Sequence, residues 1–220
     1  MPQPIFLQAL VEKAAPFTSF QCWMGAKATE LIEEGDTITG IRGLRHGEEA
    51  FEIRADVVVG ADGRSSSMRR LGHFEIEYEY HDFDVIWFVI EQPPDWPNTI
   101  YFSLGSDVRG LMLPKYPQQI QAGLFLPTGA WQEWRDAGIA AVAERVRRLD
   151  PVFTDFADSL RDFRPFFPLA GQITLVKDWA RDGLVLIGDS AHTMSPAGAI
   201  GVNVALATAV AMYRAMEMTF

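Results

Sequence analysis

A single cysteine, Cys22, is all the thiol that 220 residues contain. An internal disulfide is excluded, and no Cys/His cluster has the spacing of a zinc site, so no metal is expected. Positive charge is scarce as well: 19 Lys and Arg against 29 Asp and Glu give a formal net charge of −10. Nucleic acid and anionic membrane both need a basic face, so neither is expected as a partner. Long apolar runs are missing. The longest, about Ala197 to Met212, contains Asn203 and Thr208 and falls short of the roughly 20 residues a bilayer span needs. The opening stretch MPQPIFLQALVEKAAP has neither a basic segment nor a small-residue cleavage site, so no signal peptide is read. These absences lead to the expectation of a soluble protein in a reducing cytoplasm. The sequence also contains no GxGxxG motif, no internal repeat and no low-complexity tract.

What is present suffices for a core, since 48% of the residues are hydrophobic. Pro4 to Ala15 is predicted as a helix with Ile5, Phe6, Ala9, Leu10 and Ala14 on one face. Strands are predicted over Ala26–Glu33, Thr37–Leu44 and Ala50–Arg54, joined by Glu34-Gly35-Asp36 and His46-Gly47-Glu48, which have hairpin chemistry. The unbroken run Val57-Val58-Val59 predicts a strand buried on both faces, as in a parallel sheet. Asp84–Ile90, Thr99–Leu104, Val108–Pro114 and Gln119–Leu126 predict an antiparallel sheet with Pro- and Gly-rich turns. Gly138–Leu149 is a helix by periodicity. Leu184–Ile187 is a second short buried strand, and a long apolar helix covers roughly Ile200 to Met216. The expected fold class is α/β, a partial parallel sheet of incomplete Rossmann type with an inserted antiparallel sheet. The expected division is 1–75 with 172–220 around 76–171.

Two strand-to-loop junctions carry unusual chemistry. In VVVGADGRSSSMRR, a buried strand runs into Gly60-Ala61-Asp62-Gly63 and a helix starts near Ser66, a good N-cap. A carboxylate at the carboxyl end of a parallel strand stands where α/β sheets bind ligands. In LVLIGDSAHTMSPAGAIGVN, a strand again runs into Gly188-Asp189, followed by Pro196, Gly198, Gly201 and Asn203 at the start of a helix. Exposed main-chain N–H groups at a helix start make an anion site, and Asp189 can accept hydrogen bonds from a polyol. Each stretch also has a plain reading as strand, turn and capped helix. Asp189, Ser190 and His192 superficially resemble a hydrolytic triad, but three residues this close rarely converge and no GxSxG elbow is present. His192 is expected to be a structural hydrogen-bonding residue. Arg69 either contacts a phosphate or pairs with a nearby carboxylate. Trp87, Phe88, Tyr101 and Phe102 are core residues by default, although alternation along a strand puts some of them on the second face. The acidic stretch Glu30–Asp36 reads as a solvated turn.

The two junctions, in this order, resemble the flavoprotein monooxygenases of the para-hydroxybenzoate hydroxylase type. The family motif DGxxSxxR reads here Asp62-Gly63-Arg64-Ser65-Ser66-Ser67-Met68-Arg69, a complete match. The Gly-Asp motif reads Gly188-Asp189-Ser190-Ala191-His192, with Pro196, Gly198, Gly201 and Asn203 after it. The resemblance implies FAD as cofactor, with Asp189 on the ribityl chain and the helix after Pro196 aimed at the flavin pyrimidine edge. It places Asp62 and Gly63 near the pyrophosphate and the antiparallel sheet over a small, aromatic substrate. It implies reduction by NADH or NADPH and hydroxyl transfer through a flavin hydroperoxide. No side-chain nucleophile is needed, because the cofactor carries the chemistry; the catalytic residues stay unassigned.

The family opens with a strand, a GxGxxG turn and a helix, with an acidic residue about 20 positions on for the adenosine ribose. Neither is found here, so the resemblance implies a large fragment, inactive and weak in FAD binding on its own. Ala199 and Ile200 stand where many members have Gly and Gln or Gly and Val, and Thr208 stands where many have Asp. A related reductase of isoprenoid chains, a halogenase and a non-catalytic remnant are the alternatives. A halogenase would show a further Trp-rich motif and a catalytic Lys, and no such motif is found.

Overall fold

Tight turns set the first sheet. Glu34 pairs with Thr37 across a two-residue turn in which Gly35 takes φ +64°, the left-handed backbone that such hairpins require. Arg45 pairs with Glu49 across the next turn, where His46 and Gly47 have φ +51° and +83°. The result in this computed structural model is an antiparallel meander of Ala26–Glu34, Thr37–Arg45 and Glu49–Arg54. One exposed face carries ion pairs, Arg42 to Glu52 across strands at 2.8 Å and Arg54 to Glu52 along one strand at 3.0 Å. At this exposure such pairs contribute little stability. Glu30, Glu33 and Glu34 are solvated, as their composition predicts.

The structure describes residues 3–80, 82–105, 107–196 and 200–218. They fall into two compact units, Met1–Phe20 with His81–Gly171, and Gln21–Tyr80 with Gln172–Phe220. The fold is mixed α/β, as expected.

In the second unit, Val58–Gly60 pairs in parallel with Leu184–Leu186, in the register Val58 to Leu184 and Gly60 to Leu186. The antiparallel strand Ala180–Arg181 follows on the far side of Leu184–Leu186. The core beneath is Ile38, Val58, Met68, Val176, Leu184, Leu186 and Ala191. The valine run departs from its prediction. Val58 is buried, but Val59, on the opposite face of an edge strand among the described residues, is 36% exposed. A further sheet joins Ile76–Tyr80, Gln172–Val176 and His192–Thr193. The closing helix Gly201–Glu217 has no buried residue. An apolar groove of about 370 Å³ runs between it and Val57, Trp179, Val185 and Ile187.

In the first unit, five strands run in the order Phe167–Leu169, Phe83–Glu91, Gln119–Pro127, Arg109–Lys115, Tyr101–Leu104. One face packs on the helices Ile139–Leu149 and Thr154–Ser159, whose Val142, Val146, Leu149 and Ala157 are buried. Phe88 belongs to this face and stacks on Phe156 at 5.0 Å. Trp87 points the other way, in a cluster with Val85 and Leu111. Asp84 is 8% exposed and ties down two loops: Oδ2 accepts from Gly129 N–H and Oδ1 from Gly171 N–H, both at 2.8 Å. The helix Gln3–Ala14 forms where predicted, but its apolar face is not buried. Ile5 is 54% and Leu10 44% exposed, since Leu7 and Val11 spread its apolar surface around the axis. No helix among the described residues is long and apolar enough to cross a membrane.

Asp84→Ala would leave the buried Gly171 N–H without its acceptor, at a cost of about 1–3 kcal/mol, while the N–H of exposed Gly129 turns to water. A loss of roughly 1–3 kcal/mol in urea unfolding is expected on that basis; a midpoint close to that of the unsubstituted protein would show that water replaces the carboxylate.

Candidate functional site

The parallel register sets the site. Because Gly60 stands beside Leu186, the loops that follow leave from the same end of neighbouring strands. Ile187 N–H donates to Gly60 O at 3.0 Å, extending the pairing by one step. Gly60 admits no side chain, since a Cβ there would meet Leu186 at 2.6 Å and Met68 at 2.9 Å.

Asp62 does not point its carboxylate at open space. Oδ1 accepts from Ser66 Oγ at 2.5 Å, and Oδ2 accepts from the N–H groups of Ser67 and Met68 at 2.6 and 3.0 Å. Ser66 Oγ in turn accepts from Arg69 N–H at 2.9 Å, the N-cap that its position predicts. These donors are orphans of the first turn of Ser67–Leu71. Gly63 has φ +78°, and nothing lies within 4 Å of where a Cβ would stand, so backbone conformation and not crowding requires glycine there.

Among the described residues Arg69 pairs with no carboxylate. It is 8% exposed, and its guanidinium donates to three main-chain carbonyls: Ser190 O at 2.9 Å, Asp189 O at 3.4 Å and Arg64 O at 2.7 Å. Ser190 reinforces the same junction. Its fully buried Oγ lies within hydrogen-bonding distance of Gly60 O and of Ile187 O. The sequence offers no signal for these contacts beyond the motif itself, because their acceptors are main chain.

Gly188–Ser190 forms a single 3-10 turn, with Gly188 at φ +57°. Gly188 N–H donates to Thr208 Oγ1 at 3.0 Å, and a Cβ on Gly188 would come 3.1 Å from Ala205 Cβ. Thr208 thus anchors the closing helix to the loop. Asp189 is half-buried, and among the described residues its carboxylate has no hydrogen-bond partner. The helix start is Gly201, preceded by Ile200 without a side-chain cap. Nothing lies within 4 Å of where a Gly201 Cβ would stand. Asn203 is exposed on the first turn and Pro196 is half-buried. Gly198 and Ala199 lie outside the described residues.

His192 is not the hydrogen-bonded residue expected. It is 7% exposed, Nε2 is buried with no partner among the described residues, and the ring lies against Trp179 at 5.2 Å. Burial lowers its pKa, and the nearby Asp189 opposes that shift in part. No group of three or more His, Cys, Asp or Glu that could hold a metal occurs among the described residues.

The profile of the FAD binding domain family matches residues 1–219. The chain is 37% identical over 215 residues to 6-methylpretetramide 4-monooxygenase of Streptomyces rimosus, covering 97% of this chain and 51% of the relative. It is 28% identical over 203 residues to digeranylgeranylglycerophospholipid reductase of Methanocella arvoryzae, covering 89% and 48%. The chain thus spans about half the length of these relatives. Among solved structures, PqsL, a probable FAD-dependent monooxygenase from Pseudomonas aeruginosa, shares the fold with a TM-score of 0.74 at 17% identity, over 93% of this chain and 57% of that one.

Two outcomes test the site's construction. Asp62→Ala should destabilise the protein by about 1 kcal/mol or more through loss of the helix cap; an unchanged urea midpoint would refute the capping role. A histidine whose folded pKa is depressed binds its proton more readily when unfolded. Stability should therefore fall as pH drops below about 6.5, until the folded pKa is passed. His192→Gln should remove that part of the acid sensitivity, and identical pH profiles would count against it.

Proposed function

Since this chain belongs to the FAD binding domain family, we propose that its two Gly-Asp junctions hold FAD and that it serves NAD(P)H-dependent hydroxylation of an aromatic substrate. The observation that carries the proposal is the half-buried, unpartnered carboxylate of Asp189. A carboxylate left free at the carboxyl end of a parallel strand is placed to accept hydrogen bonds from a ligand, and a ribityl diol supplies donors. With no side-chain cap among the described residues, the first turn of Gly201–Glu217 presents main-chain N–H groups beside Gly201, where a Cβ would meet nothing within 4 Å. Their dipole favours negative charge, which suits the electron-rich edge of a reduced ring. The residues present therefore fit a flavin.

Roles follow from which groups are already engaged. Asp189 binds the cofactor's polyol. Gly201 and Asn203 present main-chain donors, and Pro196 shapes the approach to that turn. Asp62 is committed to the helix cap, so the first junction acts through its backbone, with Gly63 admitting close approach of a phosphate. Bound FAD would supply the redox chemistry: hydride from NADH or NADPH, one oxygen atom from dioxygen into a C–H bond, the other released as water. The protein's part is to bind, orient and exclude water.

The second face of the five-stranded sheet suits an aromatic substrate. Register aligns Phe167, Trp87, Gly123, Leu111 and Phe102 in one cross-strand row. A Cβ on Gly123 would meet the Trp87 ring at 3.0 Å, so the indole lies across the glycine. The 37% identity to a monooxygenase favours hydroxylation. The 28% identity to a reductase supports reduction of an isoprenoid chain as the second reading.

Visible absorbance of the purified chain titrated with FAD should show a perturbed flavin band, and Asp189→Ala should raise the dissociation constant by about tenfold or more, the equivalent of one charge-assisted hydrogen bond. Substrate-stimulated NAD(P)H oxidation with uptake of labelled dioxygen into product would separate hydroxylase from reductase. A wild-type chain that leaves millimolar FAD unperturbed would overturn the proposal.

A further inference from the structure

We infer that Arg69 is a positioning residue for the cofactor carboxylate, acting on Asp189 through the main chain and not touching the ligand itself. The inference rests on the flavin reading of Asp189 given above. Its physical basis is how the guanidinium is engaged. Arg69 is 8% exposed and spans both junctions, with one amino group on Asp189 O and Ser190 O and the other on Arg64 O. Among the described residues it forms no ion pair with a carboxylate.

Those two acceptors are consecutive carbonyls of the 3-10 turn that carries Asp189. A three-residue turn with a left-handed glycine at its start has little stiffness of its own. Three constraints fix it. Gly188 N–H is held by Thr208, Ser190 Oγ reaches Gly60 O and Ile187 O, and Arg69 holds the carbonyls of Asp189 and Ser190. Only the last acts on the peptide group of Asp189 itself. Fixing that carbonyl fixes ψ of Asp189 and the direction in which its side chain leaves the turn. A planar fork can hold acceptors on two loops at once, whereas the ammonium of lysine is a point charge on a flexible stem. Geometry and charge are therefore separable by substitution.

The test is a double-mutant cycle in the full chain, read by FAD fluorescence titration and by hydrogen exchange of the Gly188–Thr193 amides. Arg69→Lys and Arg69→Gln should each raise the FAD dissociation constant by about tenfold, within the range of direct couplings, and accelerate exchange in that turn. In an Asp189→Ala background the same Arg69 substitutions should change affinity by less than about twofold, the expectation for a pair that acts as one unit. Arg69→Lys keeps the charge and guards against a failure of Arg69→Gln to fold. Wild-type affinity in Arg69→Lys would show that charge, not the fork, matters, and would overturn the inference. So would Arg69 effects that persist undiminished without the Asp189 carboxylate. Asp189→Ala binding FAD as wild type does would instead overturn the flavin reading, a distinguishable result.

Discussion

Pairing of Val58–Gly60 with Leu184–Leu186 is the constraint on which the candidate site depends. The two strands lie far apart in sequence, and their pairing brings two short polar loops to one end of a sheet. A slip of one residue would turn Leu184 and Leu186 away from the core and move Ile187 off Gly60. The register is secured beyond the strand ends by side chains of the loops themselves. Ser190 reaches back to Gly60, and Arg69 reaches across to Asp189 and Ser190. Two glycines make this closeness possible, Gly60 by having no side chain to clash and Gly188 by its left-handed backbone.

The same contacts divide the polar groups into those that are spent and those that are free. Asp62 accepts three hydrogen bonds from its own helix start, Ser66 completes the cap, and Arg69 is saturated by carbonyls. A complete match to DGxxSxxR is therefore, in this structure, largely a description of how one loop is built and joined to its neighbour. The Gly-Asp loop is different. Its backbone is fully anchored while the Asp189 carboxylate has no partner among the described residues. That unspent carboxylate, at the carboxyl end of a parallel strand, is the feature on which the flavin reading of the loop rests.

Which parts were legible in sequence follows the range of the interactions. The meander and its turns were, because Gly35 and Gly47 encode the backbone locally. So was the helix Ile139–Leu149, whose apolar spacing matches its buried face, and the Ser66 cap, which depends on residues three apart. Ile76–Tyr80 was missed although it alternates apolar Ile76 and Tyr78 with Glu77 and Glu79; its acidic content masked the period of two. His192–Thr193 pairs with Thr174 and Leu175 in only two positions, too short a strand to register as a pattern. The hold of Arg69 on main-chain carbonyls and of Thr208 on Gly188 could not be read, since a main-chain group carries no sequence signature. Burial also eluded composition: Val59 and the helix Gln3–Ala14 are as apolar as core segments, yet exposed.

Net charge bears on how such a site can work. A chain with a formal charge of −10 creates a field that repels anions at long range. A dinucleotide with a diphosphate must therefore be held by short-range donors in place of a basic surface. Under the flavin reading the two junctions offer what that requires: the first turn of Gly201–Glu217, which has no side-chain cap among the described residues, and the left-handed turn at Gly63. Local dipoles of this kind act over a few ångströms and lose little to salt when partly buried. Recognition then depends on the backbone being in the right place, which is why so much of the polar chemistry at these loops goes into holding them together.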